Sequence, residues 1–584
     1  MRRTKIICTL GPATDSEEMV CRLIQNGMNV ARLNFSHGSY EEHRRRIDMI
    51  KRVRDDLHAP VGILLDTKGP EVRIGDFANG KVLLSAGDTF TLTTQDVAGD
   101  ETRVSINYKA LPRDVKAGTR ILIDDGLIEL SVERKNDTEI VCRVLNGGVI
   151  SNKKSINIPG VSLNIPFVSE KDRSDIEFGI EQDIDFIAAS FTRSAADILE
   201  IKKILERHNA TNVQIIAKIE NGEGVRNVDE ILKVCDGIMI ARGDMGVEVP
   251  FEELPHIQKN LISKCYRSGK RAITATQMLD SMIKNPRPTR AETTDVANAV
   301  YDGTSAIMLS GETAMGKYPI ESLITMSRIA ERAEREVDYV EKLRLMMNFA
   351  IPSVTNAISH ATCSTAHDLG AAAIINFTQS GRTARMISSF RPQCPIISCT
   401  PSKKVFHQLS ISWGVVPVLG EQQSNTDDLF EHAVERAMST GLVNHGDLVV
   451  ITAGVPLGVT GTTNILKVHI VGNVLVRGKG VGMTSVSGHL CVCKTMKEAE
   501  ENFRDGDILV VPKSSNRLLP ILKRARAIVV EEEGVTTPAA IVGLTLDIPV
   551  LTGATGATGI LKSGTTVTVD PTRGFVYSGI TNAM

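Results

Sequence analysis

The sequence lacks three features that mark well-defined classes of protein. Lysine plus arginine number 67 and aspartate plus glutamate 69, a net charge of −2, so there is no basic surplus for nucleic-acid binding. No uninterrupted apolar run approaches the roughly 18 residues of a membrane-spanning helix. The basic start, MRRTKIICTLGP, has only a short apolar run, which argues against a signal peptide. We therefore expect a cytoplasmic protein with no nucleic-acid or membrane partner.

Two local signatures are missing as well. The ten cysteines are scattered, and the closest pair, Cys491 and Cys493, lacks the spacing of a metal site. We interpret the cysteines as free thiols in a reducing compartment. No G-x-x-x-x-G-K-[ST] segment occurs, so a bound nucleotide would not be held by a P-loop.

What the chain does contain is a recurring strand pattern. Its 584 residues predict three or four domains, and 42% hydrophobic residues suffice for their cores. Eight short apolar runs, most followed by a helical pattern, predict parallel strands covered on both faces. They favour a (β/α)8 TIM barrel, and a doubly wound sheet is the alternative. The runs are Lys5–Leu10, Asn29–Asn34, Gly62–Lys68, Phe186–Phe191, Gln214–Glu220, Gly237–Asp244, Ala272–Gln277 and Ala306–Glu312.

Three further regions interrupt or follow the barrel. The first alternates like β-strands with many turns, which predicts an inserted all-β lid able to exclude water. A long helix, from residue 317 to about Leu345, closes the barrel, and an α/β domain and a smaller α/β domain follow. The predicted boundaries are 1–70 and 171–345 for the barrel, 71–170 for the lid, 346–473 for the α/β domain and 474–584 for the extra C-terminal domain.

Charged residues stand at the carboxyl ends of the predicted strands, where barrels carry their catalytic groups. Glu220 and Asp244 end neighbouring strands, so their carboxylates can converge on Mg²⁺ or Mn²⁺; the alternative is that each caps a helix. Lys218 precedes Glu220 by two residues and points to the same face. A lysine in a pocket needs an anion, so it can stabilise a phosphoryl group or an enolate, unless it only pairs with Glu220.

Other strand ends carry groups suited to anions and to a second cation. The planar guanidinium of Arg32 fits phosphate or carboxylate. Asn34, Ser36, Asp66 and Thr67 supply oxygens with a single formal charge, which suits a monovalent cation better than a divalent one. Hydrogen bonding within loops and helix capping remain the alternative for these residues.

Two hydroxyl-rich segments complete the candidates. Thr276 ends a predicted strand, where its hydroxyl can bind a substrate carboxylate or relay a proton; the alternative is a buried threonine bonded to the backbone. In the α/β domain, a glycine and small hydroxyl residues follow a strand and precede a helix, which predicts a phosphate cradle or else an ordinary capped turn. The cradle residues are Thr378, Ser380, Gly381, Arg382 and Thr383.

Taken together, these segments resemble the pyruvate kinase family. The matching blocks extend over the whole barrel in the order that the family has, and the resemblance covers about residues 1–473. The blocks are MNVARLNFSHG (28–38), LLDTKGPEVR (64–73), KIENGEG (218–224), ARGDMGVEVP (241–250), ATQMLDSM (275–282), NPRPTRAETTDVANAVYDGT (285–304) and MLSGETA (308–314).

The resemblance implies a site and its ligands. It implies a homotetramer that transfers phosphate from phosphoenolpyruvate to ADP with Mg²⁺ (or Mn²⁺) and K⁺, under a phosphorylated allosteric effector such as AMP, a sugar monophosphate or fructose bisphosphate. Within the family, a glutamate at the position of Glu71 is associated with potassium dependence. The implied roles are phosphoenolpyruvate on Arg32, Lys218, Gly243, Asp244 and Thr276, of which Lys218, Arg32 and Thr276 are catalytic; divalent metal on Glu220 and Asp244; K⁺ on Asn34, Ser36, Asp66 and Thr67; and nucleotide on Asn34, Phe35, Ser36, His37, Arg73 and Lys154.

The chain departs from the family pattern at three places. Ser305 replaces an aspartate, and Ser155 replaces a glycine beside the proposed nucleotide ligand Lys154. The extra C-terminal domain resembles the phosphohistidine domain of phosphoenolpyruvate-utilising enzymes, but Pro538 stands where the histidine would be. We therefore expect this domain to be unable to carry a phosphoryl group.

Two other functions are compatible with parts of the pattern. A metal-dependent aldolase or lyase on a similar barrel would also stabilise a pyruvate enolate, but it needs neither the lid nor Arg73. A catalytically silent scaffold would bind ligands only through the α/β domain and the extra C-terminal domain. It predicts damage among the matched barrel residues, and the sequence contains none.

Overall fold

Eight short parallel strands close into a barrel, in sequence order around the ring. This confirms the (β/α)8 prediction. Almost every strand residue is buried, as the continuous β-branched runs predict. The strands are Lys5–Thr9, Val30–Asn34, Gly62–Asp66, Phe186–Ala189, Gln214–Ile219, Gly237–Ala241, Arg271–Ala275 and Ala306–Leu309.

The computed structural model describes residues 1–347, 353–455, 463–472 and 474–579. The proposed boundary at residue 473 and the end of the tail, 580–584, lie outside the described residues. Among the described helices, none combines the length and the apolar character needed to cross a membrane.

Helices cover the outside of the barrel, and their starts carry the expected caps. Ser16 accepts from the Met19 backbone N–H, and Ser39 forms a capping box with Glu42. The barrel helices are Glu17–Gln25, Tyr40–Asp56, Glu170–Glu181, Ala195–Arg207, Gly222–Arg226, Val228–Val234, Arg242–Glu248, Leu254–Arg267, Arg290–Asp302, Gly311–Ala314 and Pro319–Glu334, with 3₁₀ turns at Pro12–Thr14, Phe251–Glu253 and Asp280–Ile283.

Two details of the prediction were wrong. The long helix expected up to Leu345 is two helices, Pro319–Glu334 and Tyr339–Met347. The second helix starts afresh because the Asp338 carboxylate accepts from the Glu341 backbone N–H, as a helix cap does. Several barrel strands also end earlier than predicted. The sixth strand, for example, ends at Ala241 because Arg242–Glu248 already forms a helix.

The inserted region is the expected all-β lid, apart from the four-residue helix Leu111–Asp114. It contains a seven-stranded sheet and a two-stranded sheet around an apolar core that includes Phe90, Leu92 and Leu130. The strands are Val72–Arg73, Lys81–Leu84, Thr89–Thr93, Arg103–Ser105, Arg120–Ile123, Ile128–Lys135, Glu139–Asn146, Gly148–Ser151 and Ser155–Asn157.

Helices and strands alternate after the barrel. This third region has the helices Val354–Asp368, Arg382–Ser389, Lys403–Gln408 and Thr426–Met438, the 3₁₀ turn Leu409–Ile411, and the strands Ala373–Phe377, Ile396–Thr400, Val415–Leu419, Leu448–Gly454 and Thr463–Ile470. The tail has an eight-stranded sheet. Its strands are Val474–Arg477, Lys479–Val481, Val486–Val492, Ile508–Val511, Ala527–Val530, Val550–Thr552, Thr566–Asp570 and Phe575–Ser578, and its helices are Met496–Asn502, Asn516–Leu518 (3₁₀), Leu519–Leu522, Pro538–Leu546 and Ala557–Ile560.

The chain divides into two units. The first comprises the described parts of Met1–Cys363, Phe377–Gln422 and Gly454–Asn464, and the second those of Ser364–Asn376, Gln423–Ala453 and Ile465–Met584. All candidate site residues from the sequence lie in the first unit. The site can therefore be described within one body.

Candidate active site

Four charged side chains meet at the carboxyl end of the barrel. Asp66 Oδ2 accepts from Arg32 Nε at 2.6 Å, and Asp66 Oδ1 lies 3.1 Å from Lys218 Nζ. The same ammonium lies 3.0 Å from Glu220 Oε1. All four residues are at most 9% exposed. The second, third and fifth strands thus bring together residues that are up to 188 positions apart in the sequence.

Ser190 joins this cluster and is absent from the sequence-based candidates. Its Oγ accepts from Lys218 Nζ at 2.8 Å and lies 3.0 Å from Asp66 Oδ1. Ser190 directly follows the fourth strand, Phe186–Ala189, which separates the third strand from the fifth. The sequence does contain a signal for Ser190. It immediately follows the apolar run FIAA, which places it at the same edge of the barrel as the other candidates.

The charges in the cluster shift each other's protonation. Burial lowers the pKa of Lys218, but Asp66 and Glu220 outweigh it and raise that pKa to about 12. Burial raises the pKa of Asp66, yet Arg32 and Lys218 prevail and lower it. The cluster therefore contains two basic side chains, Arg32 and Lys218, beside the carboxyl groups of Asp66 and Glu220. Two buried basic side chains at the carboxyl end of the barrel favour an anionic ligand.

Glu220 and Asp244 form a second, acidic part of the site. Burial raises the pKa of Glu220 to about 7, with Lys218 opposing and Asp244 adding to the rise. Burial also raises the pKa of Asp244, against the effect of Lys218. Two carboxylates with raised pKa values in one pocket would both gain from a shared cation.

A divalent ion fits this pair in a particular way. Within the described residues there is no group of three or more His, Cys, Asp or Glu side chains that could enclose a metal. Mg²⁺ usually takes one or two carboxylates and fills its remaining positions with substrate oxygens and water. Glu220 and Asp244 therefore suit an open Mg²⁺ site and do not suit a closed protein cage.

Thr276 lies just beyond the seventh strand, which ends at Ala275. Its Oγ1 donates to the Ala275 carbonyl at 2.6 Å, and its side chain is half-buried. The same Oγ1 accepts from the Gly243 N–H at 2.8 Å. Thr276 and Gly243, both predicted to bind substrate, are therefore direct neighbours.

The residues predicted for a monovalent cation are partly engaged with each other. Asn34 and Asp66 lie side by side on paired strands. Asn34 Oδ1 accepts from the Ser36 N–H at 3.1 Å, and Thr67 Oγ1 accepts from the Ser190 N–H at 3.1 Å. These are the loop hydrogen bonds of the alternative interpretation, and they hold the oxygens together at one edge of the barrel.

The nucleotide candidates fall into two sets. Phe35 is 1% exposed, and its ring stacks on His43 with centroids 3.9 Å apart, so this side chain serves packing. In the lid, Arg73 Nε donates to Glu71 at 2.8 Å, and Lys154 Nζ lies 2.8 Å from Asp124. Both lid cations are thus paired with acids that a nucleotide phosphate would have to displace.

A cleft lies between the lid and the barrel. Its walls include Glu71 and Ser155 from the lid side and Asp244 and Asn221 from the barrel side. Asn157 Nδ2 donates to Glu248 Oε1 at 3.0 Å, which links the two walls. The lid therefore faces Asp244 across this cleft.

The proposed phosphate cradle begins a helix. Gly381, with φ +72°, is the N-cap of Arg382–Ser389, and its N–H donates to Thr378 Oγ1 at 3.0 Å. Thr383 is buried and its hydroxyl contacts that of Thr463 at 2.6 Å, whereas Arg382 is exposed. The segment thus forms a strand-to-helix turn and keeps an exposed guanidinium at the start of the helix.

Ser155 and Ser305, the two serines that depart from the family pattern, each form a polar contact. Ser155 Oγ donates to Asp125 Oδ1 at 3.4 Å within the lid. Ser305 Oγ accepts from Arg391 Nη2 at 3.1 Å. Arg391 is 6% exposed, and burial lowers its pKa to about 10. Ser305 therefore gives this arginine a neutral acceptor where an aspartate would give a charge.

Sequence comparisons identify the relatives of this chain. The profile of the pyruvate kinase barrel domain matches residues 1–323, that of the pyruvate kinase alpha/beta domain matches 356–469, and that of the mobile domain of PEP-utilising enzymes matches 503–574. The chain is 50% identical over 581 residues to the pyruvate kinase of Bacillus licheniformis and 50% identical over 580 residues to that of Geobacillus stearothermophilus, with 99% of both chains covered in each case.

A solved structure agrees with these matches. The crystal structure of a pyruvate kinase from Cryptosporidium parvum superimposes with a TM-score of 0.77 at 40% identity, and covers 80% of this chain and 96% of that chain. The barrel with its strand-end cluster, the matched profiles and the full-length relatives agree. The chain belongs to the pyruvate kinase family.

Proposed function

We propose that this chain is a pyruvate kinase, which transfers the phosphoryl group of phosphoenolpyruvate to ADP and yields pyruvate and ATP. The observation that carries the proposal is the buried Lys218, held between Asp66 and Glu220 at 3.1 and 3.0 Å. A fixed cation in a closed pocket neutralises charge on a phosphoryl group in flight, and then on the enolate that remains.

The other barrel residues orient phosphoenolpyruvate. Arg32 offers its guanidinium to the phosphate, and the backbone at Gly243 and Asp244 binds the carboxylate beside Thr276. Arg32 and Lys218 are the two basic side chains of the cluster, and the anionic substrate pairs with both. Thr276 then lies where a proton can reach the methylene carbon of the enolate through water.

The cations of the reaction have candidate ligands in the same pocket. We infer that Glu220 and Asp244 hold Mg²⁺ or Mn²⁺, and that Asn34, Ser36, Asp66 and Thr67 hold K⁺, with Glu71 as the residue associated with potassium dependence. The divalent ion supplies charge neutralisation to the phosphates when it is bound. Asn34, Ser36, His37, Arg73 and Lys154 contact the nucleotide, and Phe35 supports that segment from within.

Closure of the lid protects the donor from water. The cleft beneath the lid contains Asp244, and the Asn157–Glu248 hydrogen bond joins lid and barrel. A phosphoryl group in transfer is hydrolysed if water reaches it, so exclusion of water favours ADP as the acceptor.

An assay that depends on ADP tests the proposal and separates it from a lyase on the same barrel. The purified protein is given phosphoenolpyruvate, Mg²⁺ and K⁺, with and without ADP, and pyruvate and ATP are measured. We expect equal amounts of pyruvate and ATP, and neither without ADP. Pyruvate formation that is independent of ADP would reject kinase activity. Omission of Mg²⁺ or K⁺ tests each cation in the same assay.

The remaining assignments concern organisation and control. We propose a cytoplasmic homotetramer with domains 1–70 plus 171–345, 71–170, 346–473 and 474–584. A phosphorylated effector would bind at Thr378–Thr383. A panel of AMP, sugar monophosphates and fructose bisphosphate, repeated with Ser380→Asp, tests this: the substitution should abolish activation because it adds a negative charge to the cradle.

The tail is proposed to have a packing or regulatory role. Truncation after residue 473 should alter oligomeric state, stability or the response to effector. If all three stay unchanged in the truncated protein, this role is rejected, and the kinase assay above is unaffected by that result.

A further inference from the structure

The turn after the seventh barrel strand has a backbone conformation that L-residues rarely adopt. Thr276 has φ +70° and Gln277 has φ +53°, so two consecutive residues other than glycine are left-handed. A positive φ at a β-branched residue such as threonine is a genuine outlier. Such conformations persist only where the surrounding structure holds them, and they cluster at functional sites.

Arg242 makes the contacts that hold this turn. It directly follows the sixth strand, and its side chain is 10% exposed. Arg242 Nη2 donates to the Thr276 carbonyl at 2.8 Å, and Nε donates to the Ala275 carbonyl at 3.3 Å. These carbonyls belong to the peptide groups on either side of the Thr276 Cα. One guanidinium therefore spans the strained residue.

The Arg242 guanidinium is itself held by side chains of two barrel helices. Arg242 Nη1 lies 2.5 Å from Asp295 Oδ1 on the helix Arg290–Asp302. The same nitrogen lies 3.4 Å from Gln258 Oε1 on the neighbouring helix Leu254–Arg267. A planar fork with five donors can make these contacts together, and a lysine ammonium cannot.

By holding this turn, Arg242 also determines where the Thr276 hydroxyl lies. Thr276 Oγ1 accepts from the Gly243 N–H at 2.8 Å, and Gly243 is the residue after Arg242. Arg242 thus connects the sixth strand to the seventh at the point where both present groups to the substrate. We propose that Arg242 is a positioning residue, whose guanidinium holds the left-handed turn and thereby fixes Thr276 against the Gly243 backbone at the phosphoenolpyruvate site. This inference rests on the proposed function.

The test compares Arg242→Met and Arg242→Lys with a matched control, Arg54→Met. Arg54 is also buried, donates to the Val61 carbonyl at 2.8 Å and lies 3.3 Å from Asp185, but it precedes the third strand at the opposite end of the barrel. We expect Arg242→Met to lower kcat/KM for phosphoenolpyruvate about 100-fold, because a small misplacement of a reacting group has that effect. The KM for ADP should stay within about twofold.

The controls separate positioning from a general loss of structure. Arg242→Lys should recover at most about a tenth of the lost kcat/KM, because one ammonium cannot span both carbonyls. Arg54→Met should lower the melting temperature and leave kcat/KM of the folded enzyme within about threefold. An Arg242→Met enzyme with normal phosphoenolpyruvate kinetics, or with equal losses for ADP and phosphoenolpyruvate, would overturn the proposal.

A rescue experiment tests the strain directly. Glycine adopts a positive φ without steric cost, so Gln277→Gly should restore kcat/KM of Arg242→Met by about five- to tenfold. In the wild-type background the same change should have at most about a twofold effect. Absence of rescue in an Arg242→Met enzyme that folds would contradict the role of the turn.

A second variant carries the test if Arg242→Met does not fold. Asp295→Asn removes the charge that anchors the guanidinium, and we expect about a tenfold loss in kcat/KM for phosphoenolpyruvate with an unchanged KM for ADP. An unchanged kcat/KM in Asp295→Asn would then reject the inference. Failure of the wild-type protein to make ATP would reject the proposed function, whereas a normal wild type with normal variants would reject the positioning role alone.

Discussion

The barrel site and the tail are two parts of one chain that match phosphoryl-handling families, yet their decisive residues do different work. In the barrel, a buried lysine stands between two carboxylates at the carboxyl end of the strands. In the tail, the position of the phosphoryl-carrying histidine is taken by Pro538, the first residue of the helix Pro538–Leu546. A fold shared with an enzyme therefore does not carry its chemistry unless the reacting residue is present.

Local physics explains why the tail still folds. Proline suits the first position of a helix, where its missing N–H has no partner to lose. Thr537 Oγ1 accepts from the Ala540 N–H at 3.3 Å and so caps the same helix. Glu531 accepts from the Thr558 hydroxyl at 2.7 Å. The Thr537 cap and the Glu531–Thr558 hydrogen bond thus stabilise the tail itself.

The sharpest way to test the contrast is to remove the barrel cation. Lys218→Met should lower kcat by about a thousandfold or more, since fixed charges at a transition state have effects of that order. Binding of phosphoenolpyruvate should largely persist because Arg32 remains. ATP formation and calorimetric binding measure the two effects. Lys5→Met is the control. Lys5 is also buried, but it begins the first strand and donates to the Val415 carbonyl, away from the strand-end cluster. Near-normal turnover of Lys218→Met would remove Lys218 from the mechanism.

The next effect concerns the acidic pair and pH. The pKa of Glu220 is raised to about 7, so protons compete with a divalent cation for this carboxylate. The Mg²⁺ concentration for half-maximal activity should rise as the pH falls from about 8 to 6. Glu220→Gln should raise it about tenfold or more at pH 8 and flatten its pH dependence. A requirement for Mg²⁺ that is the same in both proteins would contradict the assignment.

The same carboxyl group predicts how stability depends on pH without metal. Its folded pKa lies above the ordinary value of 4.5, so the folded state binds this proton more tightly than the unfolded chain does. Its contribution to the free energy of unfolding is present at low pH and is lost as the pH rises through about 7. Melting curves of metal-free protein should show this loss, and Glu220→Gln should reduce it. If the melting temperature falls equally with rising pH in the wild type and in Glu220→Gln, groups other than Glu220 cause the loss of stability.

A smaller effect is expected at the start of the tail helix. Thr537→Ala should cost about 1 kcal/mol of stability in the tail, the usual value of a lost N-cap. The neighbouring exposed Thr536→Ala is the matched control, since the cap hydrogen bond comes from Thr537. Both variants should keep the wild-type kcat, because neither residue belongs to the barrel site. A loss of kcat in Thr537→Ala alone would give the tail a catalytic part.

The last prediction is that the tail takes up no phosphoryl group. Protein incubated with ³²P-labelled phosphoenolpyruvate in the absence of ADP should retain no acid-labile label in residues 474–584, since Pro538 occupies the position of the phosphoryl-carrying histidine and His489 lies elsewhere in the tail. Proteolysis and mass spectrometry locate any label. A phosphorylated residue in the tail would show that the barrel is not the only phosphoryl-transfer site.

The comparison also shows how far sequence patterns reach. The eight barrel strands could be predicted because parallel strands buried on both faces require continuous apolar runs. Strand ends were less well predicted. Asp244 and Thr276 were placed within strands, but one lies in a helix and the other in a left-handed turn. Those conformations depend on contacts such as that of Arg242 with the Thr276 carbonyl, which no local pattern contains.

The sequence alone determined the barrel, the inserted lid, the family and the proline at the histidine position of the tail, because each depends on residue types at fixed spacing. The tertiary structure alone decided which charges meet. Only the ring of strands brings Asp66, Ser190 and Lys218 within hydrogen-bonding distance of one another. Electrostatic interactions depend on distance and burial, and both are properties of the folded chain.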